Sequence, residues 1–342
     1  MARVQRQTVL AFALGAVALI APLLAPNDYV VGVLARICLY ATLALGLNIV
    51  VGFAGLLDIG YVAFFGIGSY VYAFLASPHF GVHLPFLLAL PIVVLSTALF
   101  GILIGAPTLR LGGDYLAIVT LGFGEITYLL LLNLDRPVNI TNGPSGIIGI
   151  DAPSLLGRGF DSNTGFYYLF LLVLALVLIA SHRLQHSRIG WAWQAIREDE
   201  LAARAMGINT TTAKLQAFAT GASFAGFAGA LLASWQKSVF PENFLFTESI
   251  NVLAMVIIGG MGNLLGVILG AAIIVALPEL FRELQAYRLL VFGFALMVLM
   301  IFRPQGLLVT RAKAAGETEA AQRPPPPARR GTASAPVAQS RK

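Results

Sequence analysis

Residues 165–182 read GFYYLFLLVLALVLIASH, and they run directly into residues 183–212, RLQHSRIGWAWQAIREDELAARAMGINTTT. The first stretch is continuously apolar and carries no Asp, Glu, Lys or Arg. Its length matches the roughly 18–20 residues that a helix needs to cross a bilayer. The second stretch sets Arg183, Arg188, Arg197 and Arg204 around Glu198, Asp199 and Glu200. A further apolar run follows at 213–235. This order describes a chain that crosses a membrane, emerges and enters again. The runs are continuous rather than alternating, so they are helices and not barrel strands.

Working outward, apolar runs recur at 8–25, 30–51, 59–76, 85–105, 115–132, 250–277 and 287–302. The fold class is therefore an all-α polytopic membrane protein with about 8–10 transmembrane helices. Composition agrees. Hydrophobic residues make up 58% of the 342 and charged residues 11%, against about 25% charged in a soluble domain. The N-terminal run, Thr8–Ala25, lacks a small-residue cleavage site and leads straight into more spans, so it reads as a retained helix. Cys38 is the single cysteine, which excludes an intrachain disulfide and a cysteine metal cluster. Residues 1–311 form the membrane domain. Residues 312–342 contain Pro324–Pro327 and no apolar period, and are expected to be a disordered basic tail.

The net charge of +6 is unevenly placed, with basic clusters at Arg3 and Arg6, at 183–204 and at 303–342. Such clusters mark the cytoplasmic side. No basic face interleaves with aromatics, which argues against nucleic acid as a partner. With the N-terminus inside, parity puts the 133–164 loop outside and the basic 183–212 loop inside. A single crossing by 250–277 would then strand the basic C-terminus outside. The string Gly259-Gly260-Met261-Gly262-Asn263 interrupts that run, and glycine permits a sharp turn. Two half-helices there give ten crossings, or eight plus a re-entrant pair, and both counts put both termini in the cytoplasm. Gly52-Phe53-Ala54-Gly55-Leu56-Leu57-Asp58 makes a similar break between the second and third spans. Paired glycine breaks in two halves of a chain point to a permeation pathway, although glycine also packs membrane helices closely.

Catalytic signatures are missing. No Gly is followed by Lys, so there is no phosphate-binding loop, and neither a His-Glu-x-x-His nor a Gly-x-Ser-x-Gly string occurs. His182 and His186 are four residues apart, but two histidines make an incomplete metal site. Beside Arg183 and Arg188 they read as interfacial, and no metal is expected. Polar residues inside the bilayer are expensive. Asn48, Asp58 and Glu125 either line a pathway with Gly52, Gly55, Gly259, Gly260, Gly262 and Asn263, or bond neighbouring helices. Arg36 reads as interfacial. From Trp193 to Met206 the residues favour one helix. Trp193, Ile196, Ala203 and Met206 share a face, with Arg197 and Glu200 flanking. Ala202 and Ala203 are expected to be a compact exposed surface. Gly207 fits a left-handed stop, and Asn209, Thr210 or Thr211 can cap the next helix. Periodicity leaves two roles open: a membrane-surface helix, or a docking helix for a soluble partner.

The string Ala195-Ile196-Arg197-Glu198-Asp199-Glu200-Leu201-Ala202-Ala203-Arg204-Ala205-Met206-Gly207 resembles the coupling segment of ABC importer permeases. Four further strings, Gly52–Phe65, Gly113–Ile126, Asn142–Ile147 and Gly259–Asn263, stand in the same order as in LivM-type permeases of branched-chain amino acid importers. The resemblance implies the ABC importer permease fold and a bacterial inner-membrane location. It implies a second permease subunit, two cytoplasmic ATPases that use ATP and Mg, and an extracytoplasmic substrate-binding protein. This chain would itself be no enzyme and hold no cofactor. Leucine, isoleucine and valine are the implied cargo. Other amino acids, urea, short amides and ion-coupled transport are the alternatives. Trp193, Ile196, Arg197, Glu198, Asp199, Glu200, Ala202, Ala203 and Gly207 would couple the chain to the ATPases.

A reporter fused after Arg311 is expected to be active only if it works in the cytoplasm. Activity of a periplasm-specific reporter at that position would overturn the even number of crossings.

Overall fold

The computed structural model describes residues 27–108, 113–155, 158–159 and 162–281, with short pieces at 15, 18–23, 25, 290, 293–294, 297 and 306–307. Helix α1, Asp28–Leu47, continues into a π-helical turn at Asn48–Phe53. It is followed by α2 (Val62–Leu75), α3 (Phe86–Thr108), α4 (Asp114–Asn133) and α5 (Asn163–Gln185). Then come α6 (Arg188–Glu198), α7 (Glu200–Ala205), α8 (Thr210–Gln236), α9 (Phe246–Gly259) and α10 (Leu264–Leu280). Strand structure among the described residues is three two-residue antiparallel pairs. The architecture is all-α and polytopic, as the sequence implies. By length and composition, six of the described helical segments can cross a membrane, and α2 and α10 are shorter apolar helices. Of the expected 8–25 span, residues 18–23 are helical and lie near α5, where Tyr167 Oη donates to the Ala18 carbonyl. The 287–302 span and the 312–342 tail fall almost wholly outside the described residues.

Helix α8 is the hub, and its packing follows from small residues. It runs beside α3, α2 and α1. Lipid tails are as apolar as leucine, so membrane helices gain most from close backbone approach. A Cβ on Gly68 of α2 would sit inside the backbone of Gly226 of α8, and one on Gly226 would sit inside Thr97 of α3. Three helices thus meet at one point because two of them lack a side chain there. Hydrogen bonds fasten the same contact. Tyr61 Oη donates to the Gly221 carbonyl at 2.9 Å and Ser69 Oγ to the Gly229 carbonyl at 3.0 Å.

The 250–277 run is a hairpin, not one crossing. Gly260 and Gly262 have φ of +107° and +85°, a region that favours glycine. Gly259 packs on Gly266 and Met255 on Gly270, so α9 and α10 are antiparallel. Helix α10 then follows α1 from Asn48, which bonds Gly262, to Tyr29, whose hydroxyl donates to Glu279. The chain is back at the turn by Leu307, whose N–H donates to the Ile258 carbonyl at 2.8 Å. At the opposite end of the helices, Ile147–Ile148 pairs with Ser238–Val239. There too His83 Nδ1 meets Asp151 Oδ2 at 2.6 Å.

Substituting Gly226 by Leu is expected to lower the thermal midpoint of the purified protein, with an overpacking cost of about 1–3 kcal/mol. Gly226→Ala should be milder. Equal midpoints for Gly226→Leu and the parent chain would show that the α2–α3–α8 contact is not close-packed.

Candidate functional site

The charged link is two helices, not one. Ser187 Oγ accepts from Gly190 N–H and starts α6. The helix stops at Glu198, and Asp199 is extended, with φ −158° and ψ 111°. The reason is local. Asp199 Oδ1 accepts from the N–H groups of Leu201 and Ala202 at 2.8 and 3.0 Å, and so caps α7 instead of continuing α6. The continuous helix expected from Trp193 to Met206 is therefore corrected to α6 and α7 joined at Asp199. Gly207 does end the segment with φ +86°. Asn209 Oδ1 accepts from Thr212 N–H and caps α8.

Burial sorts this segment into an inner and an outer face. Trp193 is fully buried and donates its indole N–H to the Ala213 carbonyl at 2.7 Å. Ile196 is buried beside it in the same core. Ala203 is also core, at 4% exposure, while Met206 is 83% exposed. Two expectations are thereby corrected: Ala203 is not part of an exposed surface with Ala202, and Met206 does not share the Trp193 face. The cause is the kink at Asp199, which resets the helical phase between α6 and α7. The outer face carries Trp191, Leu201 and Met206, at 61%, 76% and 83% exposure. Glu198, Asp199, Ala202 and Gly207 are exposed as well. Glu200 accepts from Lys214 Nζ at 2.6 Å and pairs with Arg204 at 3.4 Å. The Lys214 side chain is only 6% exposed, and a buried ammonium that lost this partner would be strongly destabilising. Lys214 was missed in the sequence. Its signal is that it is the one charged residue in the apolar run 213–235.

The two glycine breaks are in contact with each other and with this segment. Asn48 is fully buried, and its Oδ1 accepts from Gly262 N–H at 2.8 Å. A Cβ on Gly52 would occupy the space of that amide side chain. From the inner face, Arg197 donates to the Gly52 carbonyl. Its stem covers Gly55, where a Cβ would lie 2.8 Å from Arg197 Cγ. Gly55 itself has φ +70°. Asn263 Oδ1 caps α10 through Gly266 N–H at 3.1 Å, and Gly259 packs on that same glycine. Gly260 packs against Gly306. Sequence reasoning named all these residues except Gly266, Gly306 and Leu307, but put Arg197 in a separate group from the breaks. The structure joins the groups through one guanidinium.

The acidic pair is divided. Asp58 is buried, and its Oδ1 accepts from Gly60 N–H at 3.0 Å, forming a turn that leads into α2. The neighbouring Ile59 N–H donates to Thr120 Oγ1 of α4. Asp58 is thus a core residue of the break. Glu125 is exposed on α4 and has no hydrogen-bond or ion-pair partner among the described residues. One of its two readings is a bond to a neighbouring helix, and no described residue supplies that bond. The His182 and His186 rings lie in contact, tilted by 51° with centroids 4.5 Å apart. Among the described residues no three His, Cys, Asp or Glu side chains gather as a metal site.

Ala203→Trp is expected to expose residues 186–209 to limited proteolysis, since overpacking a core position costs about 1–3 kcal/mol. Ala202→Trp should leave the cleavage pattern unchanged. If both behave alike, the inner and outer faces are assigned wrongly.

Residues 29–302 match the family of the branched-chain amino acid transport system permease component. The chain is 45% identical over 293 residues to the high-affinity branched-chain amino acid transport system permease protein LivM of Salmonella typhimurium, covering 79% of this chain and 68% of that one. It is 27% identical over 292 residues to the corresponding permease protein BraD of Pseudomonas aeruginosa, covering 79% and 91%. Against the permease protein LivH of Escherichia coli it is 29% identical over 142 residues, covering 41% and 44%. No solved structure matches significantly. With its family match spanning most of the membrane helices, the chain belongs to the branched-chain amino acid transport permease family.

Proposed function

We propose that this chain is one permease subunit of an ATP-driven, binding-protein-dependent importer of leucine, isoleucine and valine in a bacterial inner membrane. A second permease subunit would complete the membrane part. Two cytoplasmic ATPases would use ATP and Mg, and an extracytoplasmic binding protein would deliver cargo near the 133–164 loop. The chain would place both termini in the cytoplasm.

One observation carries the reading: Arg197 of the charged segment holds the Gly52 carbonyl, and Gly52 adjoins the Asn48–Gly262 contact between the breaks. A force on α6 therefore reaches both interrupted helices through polar bonds, without passing through deformable side-chain packing. The segment is otherwise held by Trp193 on Ala213 and by Glu200 on Lys214. Both fasten it to α8. It moves as a unit with the start of that helix. Its outer face offers Trp191, Leu201 and Met206 to a soluble partner, as aromatic and Met side chains suit an interface. The charge bias of residues 183–204 and 303–342 supports the cytoplasmic side for this face.

The test uses the whole complex in proteoliposomes. Leu201→Asp with Met206→Asp should abolish co-purification of the ATPases while the subunit still inserts. Arg197→Met keeps the stem over Gly55 but removes the bond to Gly52. It should leave assembly and ATP hydrolysis in place and lower leucine uptake per ATP about tenfold, the effect of a contact worth about 1.4 kcal/mol. Wild-type coupling in Arg197→Met, or uptake that persists without ATP and collapses with an ion gradient, would sink the reading.

A further inference from the structure

The outward surfaces of the membrane helices are of two kinds. Helix α3 presents Leu88, Leu95, Leu99 and Leu103 at 60–70% exposure, and α5 presents Leu172, Leu176 and Ile179 at 55–57%. Helix α3 carries no charge, and α5 carries its one Arg and one His, Arg183 and His182, in its last turn. Hydrocarbon satisfies such surfaces. Helix α4 differs. Tyr115, Ile118 and Leu129 are 72%, 66% and 51% exposed. Gly122, with nothing within 4 Å of a Cβ built on it, and the exposed Glu125 lie between them. The spacing of three, four, three and four residues aligns these five on one stripe.

Glu125 is the twelfth of the twenty residues in α4, close to mid-membrane. An acidic side chain there costs about 2.5–3.5 kcal/mol on insertion scales when it faces lipid. Its own chain offers it no partner among the described residues. A second, independent feature lies beside it. Glu125 borders a crevice shared with Val62, Phe246 and Ser249. On that side the chain enters the membrane layer as a 3-10 turn, Pro241–Phe244, and an extended Leu245 before α9 begins. Its depth is fixed by Phe244, packed on Phe65 and Tyr70 of α2. Leu245 and Phe246 are nonetheless exposed, at 41% and 37%. Irregular backbone at membrane depth is tolerated against protein or water, not against lipid.

We propose that the stripe Tyr115, Ile118, Gly122, Glu125 and Leu129, together with residues 245–250, is the face that this subunit turns to the second permease subunit. Glu125 then projects into the water-filled path between the two. The proposal rests on the permease reading above. A carboxylate and an irregular backbone exclude lipid as the occupant. A glycine-notched stripe at three- and four-residue spacing is shaped to receive a helix. The relationship to LivH shows that related permease chains exist to offer a matching face, and related faces meet about a two-fold axis.

The test is site-specific photo-crosslinking in cells that make the full complex with an epitope-tagged second permease subunit. A benzophenone amino acid replaces Ile118 or Leu129, and Leu95 or Leu176 serve as controls. Adducts with the tagged subunit are expected from 118 and 129 and none from 95 and 176. In a Cys38→Ala background, Glu125→Cys should react with a water-soluble, charged thiol reagent and Leu95→Cys should not. Adducts from 95 or 176 in place of 118 and 129, or a Glu125→Cys that stays unlabelled while Leu95→Cys reacts, would overturn the proposal. The adduct reports the face whatever the cargo. Failure of leucine uptake in the parent complex would therefore count against the cargo and leave the face to be decided by the crosslinks.

Discussion

A peptide group that leaves its helix inside a bilayer must find a partner within the protein, because hydrocarbon offers none. Two such ruptures organise this chain. In an uninterrupted helix the Ile258 carbonyl would accept from residue 262. Here the turn at Gly260 separates them. The Gly262 N–H goes to the Asn48 side chain, and the Ile258 carbonyl takes the N–H of Leu307. At the other rupture the helix widens to π-geometry over Asn48–Phe53, and the Gly52 carbonyl takes the Arg197 guanidinium. Each broken bond is replaced by one from a distant part of the chain. The replacements draw α1, α6, α9, α10 and Leu307 to a single point.

The rest of the packing is arranged around that point. Helix α8 stands behind it and reaches its neighbours through Gly221, Gly226 and Gly229. Its first turn bears the two attachments of the charged segment, Ala213 and Lys214. Small residues bring the helices close, and polar bonds fix their register. Neither would suffice alone. Dispersion contacts between smooth helices permit sliding, whereas a buried N–H has one acceptor within reach.

Much of this was legible in the sequence, and for physical reasons. Continuous apolar runs have one meaning at this length, so the helices and their order could be read directly. Gly207 and Asn209 announced a stop and a cap, because few residues do either task. The two glycine strings marked the ruptures. What the sequence hid was phase and partnership. Asp199 sits in a run whose neighbours favour a helix, and only its choice of Leu201 and Ala202 N–H groups breaks α6 from α7. That choice turned Ala203 inward and Met206 outward. Asn48 was recognised as a rare polar residue and Arg197 as part of the charged segment, but a sequence lists its residues singly. It carries no sign that an amide at 48 and a guanidinium at 197 would converge on the same break.

The bond between Leu307 and Ile258 has a consequence for synthesis. A ribosome threads this chain into the membrane from its first helix to its last. The acceptor for the Gly262 N–H, Asn48 Oδ1, is made early and waits. The donor to Ile258 is made near the end. While the intervening residues emerge, the α9–α10 hairpin stands with an open carbonyl at its tip. The insertion machinery or water must shelter that group until translation has passed residue 307. Among the described elements, the hairpin is thus the last that can mature. A nascent chain halted before that residue would hold every part of the break except its final clasp.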